Sequence, residues 1–266
     1  MFNKIKEYYK QTNKSTFIVY ITLRFLVIVS MILQIIHGNI SNAFLCILTL
    51  ILFTIPYLIN KKFYIELPNA LEIIILLFIF SAEILGEIQN FYGTFKHWDT
   101  ILHTINGFLC AAIGFSLIDI LNKNEKIHIS LSPIFVALVA FCFSMTIGVL
   151  WEFFEFGMDY FIRTDMQKDR IVSSISTVIL NEEKKNEPVI VNNIEETIIY
   201  SLDENNYPIA TTINGGYLDI GLIDTMKDLL VNFIGAVAFS IIGFLYIKNR
   251  DECKIAENFI PKLIRR

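Results

Sequence analysis

The chain has 266 residues, 54% of them hydrophobic and only 18% charged, with 23 phenylalanines and a mean hydropathy of +0.55. A soluble domain has no place to bury that much apolar surface, so the composition points to an integral membrane protein. The formal charge of −4 is a poor guide to partners, because its distribution along the chain matters more than its sum; no nucleic-acid partner is expected.

Four basic residues, Lys4, Lys6, Lys10 and Lys14, precede a first apolar run over 17–37. That run is too long for a signal-peptide core and no small-x-small cleavage site follows it, so it is predicted to be a retained span. Further apolar segments follow at 43–59, 69–90, 99–121, 133–159 and 226–247, each long enough to cross about 30 Å of hydrocarbon, the first of these only just. Backbone hydrogen bonding in lipid makes them helices. Pro133 sits just inside the start of the fifth, behind Ser132 as its cap.

The expected fold is thus an all-α membrane bundle of about six transmembrane helices, five of them in 17–161 and the sixth in 223–247. Lysines and arginines gather at the N-terminal tail (1–16), at Lys61 and Lys62, at Lys123 and Lys126, and in the tail 248–266. By alternation these fall on one side, so both termini are expected to be cytoplasmic in a multi-pass cell-membrane protein. The long connection 162–222 then lies outside. Its segments 171–180, 188–194, 196–202 and 207–213 are rich in Ile, Val, Thr and Tyr with turn residues between them, which predicts a small antiparallel β meander.

Cys46, Cys110, Cys142 and Cys253 show no ligand spacing, and the first three fall in apolar spans, so neither a disulfide framework nor a cysteine metal site is expected. The polar residues of the spans are more informative. Glu152, Glu155 and Asp159 are spaced i, i+3, i+7 at the end of the fifth span; Asp99, His103 and Asn106 open the fourth; Asp224, Asp228 and Asn232 open the sixth. Glu83, Glu87 and Asn90 close the third. In the topology above, all four sets fall in the outer half. A charged residue at membrane depth costs about 2.5–3.5 kcal/mol on insertion scales and usually faces a bundle interior or a cavity.

So many carboxylates with few bases need a cation or protons to compensate them, with Lys96, Arg163 and Lys227 supplying some charge at the rim. One imidazole among carboxylates suits Mg²⁺, Mn²⁺, Zn²⁺ or non-haem iron. The candidate ligands are Asp99, His103, Glu152, Glu155, Asp224 and Asp228, with Glu83 and Glu87 as looser candidates, and Glu155 and His103 as candidate catalytic groups. Plainer roles compete: His103 can pair with Asp99 across one turn, Asp99 and Asp224 can cap their helices, and Trp98 and Trp151 fit an interfacial aromatic belt. Arg24, Glu72 and Asp119, near the opposite ends of their spans, are expected to snorkel to the headgroups. Gly86, Gly107, Gly114 and Gly235 would let helices approach closely.

The blocks His97-Trp98-Asp99-Thr100-Ile101-Leu102-His103 with Gly107, Trp151-Glu152-Phe153-Phe154-Glu155, and Asp219 to Asp228 with Gly235-Ala236 resemble the YjdF-like family of bacterial multi-pass inner-membrane proteins. The likeness covers roughly 80–250 and marks Asp99, His103, Gly107, Glu152, Glu155, Asp224 and Asp228. It implies no particular reaction. The residues themselves suggest a metal-dependent hydrolase or transferase working on a membrane lipid or lipid-linked headgroup; a cation or proton carrier and a purely structural polar layer are the alternatives.

Overall fold

The computed structural model describes residues 13–63, 65–122, 131–249 and 258–263. The basic positions Lys4, Lys6, Lys10, Lys123, Lys126, Arg250, Lys254, Arg265 and Arg266, and Cys253, lie outside them. Two compact units are formed, Met1–Val149 with Asp228–Arg266, and Leu150–Lys227.

The first unit is helical. α1 (Lys14–Ile36) is capped by the Asn13 side chain, which accepts from Ser15 N, and a short turn at Gly38 (φ 74°) leads into α2 (Ile40–Leu52). The second apolar segment is not one helix. Its α2 stops at Phe53–Thr54 and resumes as α3 (Ile55–Phe63), because Pro56 has no N–H to donate back to the preceding turn. The Thr54 hydroxyl covers the carbonyl of Ile51 at the break.

The third segment departs further from expectation. α4 (Asn69–Phe80) passes into a π-helix (Ser81–Ile88), then into the single turn α5 (Phe91–Thr94) across Asn90, whose φ is +54°. The wider turns bring Gly86 under the ring of Tyr92: a Cβ at Gly86 would lie 2.3 Å from Tyr92 Cε2. π-turns inside helices recur at functional sites.

α6 (Trp98–Asn122), α7 (Pro133–Gly157, continued by a π-turn Met158–Ile162) and α8 (Leu222–Lys248) are the remaining long helices among the described residues. Among the described residues five segments are long and apolar enough to cross a membrane: Lys14–Ile36, Ile40–Lys62, Trp98–Asp119, Pro133–Ile162 and Leu222–Lys248.

The core of this unit gathers Val27, Cys46, Phe53, Leu76, Ala111, Phe115, Val136, Ala140, Ala236 and Phe239. α6 and α8 run parallel, since contacts advance together along both: His103 meets Asp228, Gly107 meets Asn232, Phe108 meets Gly235, and Phe115 meets Gly243. Phe239 packs edge-on against Phe108 and Phe115, with ring centroids at 5.0 and 5.9 Å. The C-terminal stretch is more than a basic tail. Residues 258–263 return to the bundle, where Phe259 packs on Phe108 at 5.5 Å, Ile260 is buried, and β8 (Lys262–Leu263) pairs antiparallel with β1 (Ile65–Glu66).

Two further corrections concern charge. Glu72 and Asp119 do not snorkel: they are 1% and 2% exposed. Arg24 donates to the Tyr20 hydroxyl at 2.8 Å. Being near a helix end says how far a residue is from headgroups, but the face it occupies decides its burial.

The second unit holds the strands β2 (Ile171–Val172), β3 (Ile175–Thr177), β4 (Val189–Val191), β5 (Glu196–Leu202), β6 (Pro208–Asn214) and β7 (Tyr217–Leu218). They form no meander. β2 pairs with β7, β3 with β4, and β5 with β6, as three separate antiparallel ladders. Two glycines turn the chain from β6 into β7, and Gly216 (φ 152°) packs its Cα where a Cβ would strike Val172 O at 2.3 Å. That contact brings β7 back to β2, a long-range pairing invisible to local strand propensity.

Candidate functional site

In the first unit, α6 and α8 cross with backbone nearly on backbone. A Cβ at Gly107 would lie 2.1 Å from Asn232 O, and one at Gly235 would lie 2.0 Å from Thr104 O. Small residues at both crossing points permit this approach, as in many membrane helix pairs. Asn232, 1% exposed, fills the seam: its Oδ1 accepts from Asn106 Nδ2 at 3.3 Å, and its Nδ2 donates to Ser144 O on α7 at 3.5 Å. The Ser144 hydroxyl in turn donates to Gly107 O at 2.7 Å. Three helices are thereby fixed around one amide.

One turn above that amide sits the chemistry. His103 Nε2 lies 3.3 Å from Asp99 Oδ1 and 4.0 Å from Asp228 Oδ2. One ligating atom from each of the three residues falls within 4.8 Å of the others. Asp228 is buried, its side chain 3% exposed, whereas that of Asp99 is 29% exposed, so the group is closed on the α8 side and open on the Asp99 side. Two carboxylates and an imidazole with an open flank can hold a divalent cation and leave coordination positions for water or substrate. They can equally share a proton, with an imidazolium offsetting the two carboxylates.

The remaining candidates are not part of this three-residue group. Glu83 is half-buried and Glu87 exposed on the π-helix, and neither joins the group of ligating atoms. Trp98 does more than fit a belt, since its indole donates to Ser81 O at 3.3 Å and ties α6 to the start of the π-helix.

Glu152, Glu155 and Asp224 belong to the second unit. Glu152 and Glu155 are buried, and Glu155 Oε1 accepts from the Trp151 indole one turn back at 2.8 Å. Asp224 receives Lys168 N at 3.0 Å on Oδ2 and the Arg170 guanidinium at 3.1 Å on Oδ1, with Lys227 Nζ 3.8 Å away. Asp159 accepts from Thr164, Met166 N and Gln167 N, so it organises the turn that follows α7. Asp219 does the same before α8. Burial alone would raise its carboxyl, but the N–H groups of Arg170, Ile223 and Gly221 outweigh that and hold it below the ordinary range. Asp169 moves the other way, pushed up by burial and by the carboxylates of Asp165, Asp219 and Asp159.

The sequence reading found Asn106 and Asn232 as polar positions but missed Ser144, Glu72 and Asp119 as buried partners of the helices. A signal for Ser144 was available: Ser144 and Gly148 are four residues apart on α7, the small-residue spacing of close helix contacts. A Cβ at Gly148 would indeed press on Asn232 Nδ2 at 2.7 Å.

Long apolar helices packed through glycine seams, with polar groups turned inward, define a multi-pass helical membrane protein. The chain belongs to the family described as predicted membrane protein (DUF2238), whose model matches residues 18–249. The resemblance noted above, to membrane proteins without an assigned activity, agrees with this. A Thermotoga maritima protein described only as uncharacterized is 30% identical over 104 residues, which are 39% of this chain and 52% of that protein. The chain thus spans about half the length of that relative. No solved structure matches.

Proposed function

We propose that the chain crosses the cell membrane six times with cytoplasmic termini and an external 162–222 connection, and that Asp99, His103 and Asp228 bind a divalent cation. The cation would polarise a phosphate or ester of a lipid or lipid-linked headgroup at the outer leaflet and activate a water molecule, giving a hydrolase or group-transfer reaction. The observation that carries this reading is the convergence of the three ligating atoms at the open end of a rigid glycine-packed crossing. A hydrogen bond from the Thr16 hydroxyl to Asn69 Oδ1 supports the topology, because it ties the N-terminal ends of α1 and α4 to the same side. Elemental analysis of purified protein after loading with Zn²⁺, Mn²⁺ or Mg²⁺ tests the site. One equivalent should bind to the wild type and fall at least about tenfold in His103→Ala and Asp228→Asn. Variants that bind as the wild type does would sink it.

A second reading, transport of protons or a cation, is favoured by the burial of Glu72 and Asp119. They place polar groups toward the other ends of α4 and α6, where a conduction path would need them. Flux into proteoliposomes that disappears in both His103→Ala and Asp119→Asn would put this reading first.

A further inference from the structure

Between α4, the start of the π-helix and α6 lies a cavity of about 180 Å³, running from Ser81 and Trp98 at one end to Ile74 and Ile105 at the other. Leu77 and Ile101, one from each wall, are 44% and 51% exposed, so the cavity opens on the outer surface of the bundle. Apart from that of Ser81, every side chain that lines it is aliphatic or aromatic. The Ser81 carbonyl and the Trp98 indole N–H are engaged with each other at 3.3 Å, so neither is left to recognise a polar ligand.

Lining of this kind selects its occupant. Apolar cavities of this size stay dry, and one of about 150 Å³ lined by Leu, Ile and Phe takes up benzene. A helix of another chain is about 10–12 Å across with its side chains, whereas a sphere of 180 Å³ is only about 7 Å wide. What fits is a slender stretch of hydrocarbon. α6 is itself long and apolar enough to cross a membrane, so acyl chains are the medium on which the cavity opens.

Depth relates the cavity to the polar group. Its α6 residues run from Trp98, the first of the helix, to Ile105, about 10 Å along the axis. Asp99 and His103 lie within that same stretch, about a third of a turn round the helix, and Asp99 is the most exposed member of its group. Trp98 stands where the helix enters the hydrocarbon, the level interfacial tryptophans take. A chain seated from there inward is held by its headgroup-proximal carbons, which sets its ester and headgroup level with Asp99.

We propose that this cavity seats one acyl chain of a membrane lipid and presents that lipid's ester and headgroup to Asp99, His103 and Asp228. The seat stands on its own lining; the presentation rests on the reading of the polar group as a lipid-directed site. The substrate is then an acyl lipid recognised by its chain.

Trp98 is a built-in reporter, and in Trp151→Phe it is the only tryptophan of the chain. The full chain is reconstituted in EDTA into dioleoylphosphatidylcholine vesicles, with lipid brominated on the headgroup-proximal half of its chains as a contact quencher of the indole. Ser81→Phe puts a ring into the cavity, and Leu77→Ala widens its mouth. Against the Trp151→Phe parent, the first should weaken quenching at least about threefold and the second strengthen it, with helicity by circular dichroism unchanged. A control indole, Ile32→Trp with both native tryptophans replaced by phenylalanine, is exposed on α1 outside the cavity lining and should respond to neither change. If Ser81→Phe misfolds, Leu77→Ala decides alone. Quenching that is unchanged in the folded variants, or that changes equally at the Ile32 control, overturns the seat. EDTA makes the two readings fail separately: cavity-dependent quenching in a protein that does not bind metal would keep the seat and overturn the presentation.

Discussion

Replacing Gly107 by alanine places a methyl group where the α6–α8 crossing has no room. Its Cβ would stand 2.1 Å from Asn232 O and 2.9 Å from the Asn232 carbonyl carbon, both backbone atoms that cannot rotate away. Ordinary contact begins near 3.4 Å, so the helices must part by about 1.3 Å at this point. Asp228, one turn away on α8, is already 4.0 Å from His103 Nε2. Metal–ligand bonds are about 2.0–2.6 Å long, so an outward shift of that size leaves Asp228 beyond an ion held by Asp99 and His103. Overpacking of a tight interface costs about 1–3 kcal/mol, and displacement of a ligand's support typically lowers metal affinity 10–100-fold. Calorimetric titration of Zn²⁺ or Mn²⁺ into the detergent-solubilised variant, beside a thermal melt, measures both. Gly157→Ala is the comparison, because nothing lies within 4 Å of a Cβ there; it should bind as the wild type does. The reasoning fails if Gly107→Ala loses stability yet binds metal within about threefold of wild type, because helix spacing would then not govern the site.

The loop carries a pH prediction of definite sign. Asp219 has a folded pKa below its unfolded value, so its contribution to the β2–β7 closure is complete above the ordinary Asp range and is lost as pH falls through the depressed value. Protection of the Val172 and Tyr217 amides against exchange should fall on acidification, and Asp219→Asn should already lack it at neutral pH. Asp169, with its raised value, is stabilising at low pH and loses that contribution as pH rises, so Asp169→Asn should slow loop proteolysis at neutral pH. At the other end of the chain, Phe259→Ala should cost about 1–3 kcal/mol through lost packing on Phe108 and expose residues 258–263 to protease. Unchanged protection would mean that the β1–β8 pairing alone retains the segment.

Much of this architecture could be read from local pattern. The apolar run 99–121 became α6 (Trp98–Asn122), Pro133 opens α7, and the β-rich segments 196–202 and 207–213 coincide with β5 and β6 to within one residue. What escaped was whatever depends on contacts distant in sequence. Hydropathy runs unbroken through Pro56, so the α2–α3 interruption was hidden by averaging. The β2–β7 pairing joins residues 171 and 218, far beyond any window. At the site, Asp99, His103 and Asp228 were all legible as helix-face positions, because the i, i+4 spacing of the first two is fixed by α-helix geometry. Their grouping without Glu83 and Glu87 was not, because the π-helix turns residues by a different angle from the α-helix on which the spacing argument relied.

The clasp between β2 and β7 has a consequence for how this protein can vary. Val172 and Tyr217 are direct neighbours across a ladder, so everything between them is an excursion that ends where it began. Its length is uncoupled from the residues that start α8, and a two-residue Asn-Gly turn would bridge the same gap. Insertion and deletion in residues 173–216 can therefore proceed freely while the Asp219–Arg170 contacts, and with them the first turn of α8, stay in place. The loop is an exchangeable cassette mounted on a fixed socket.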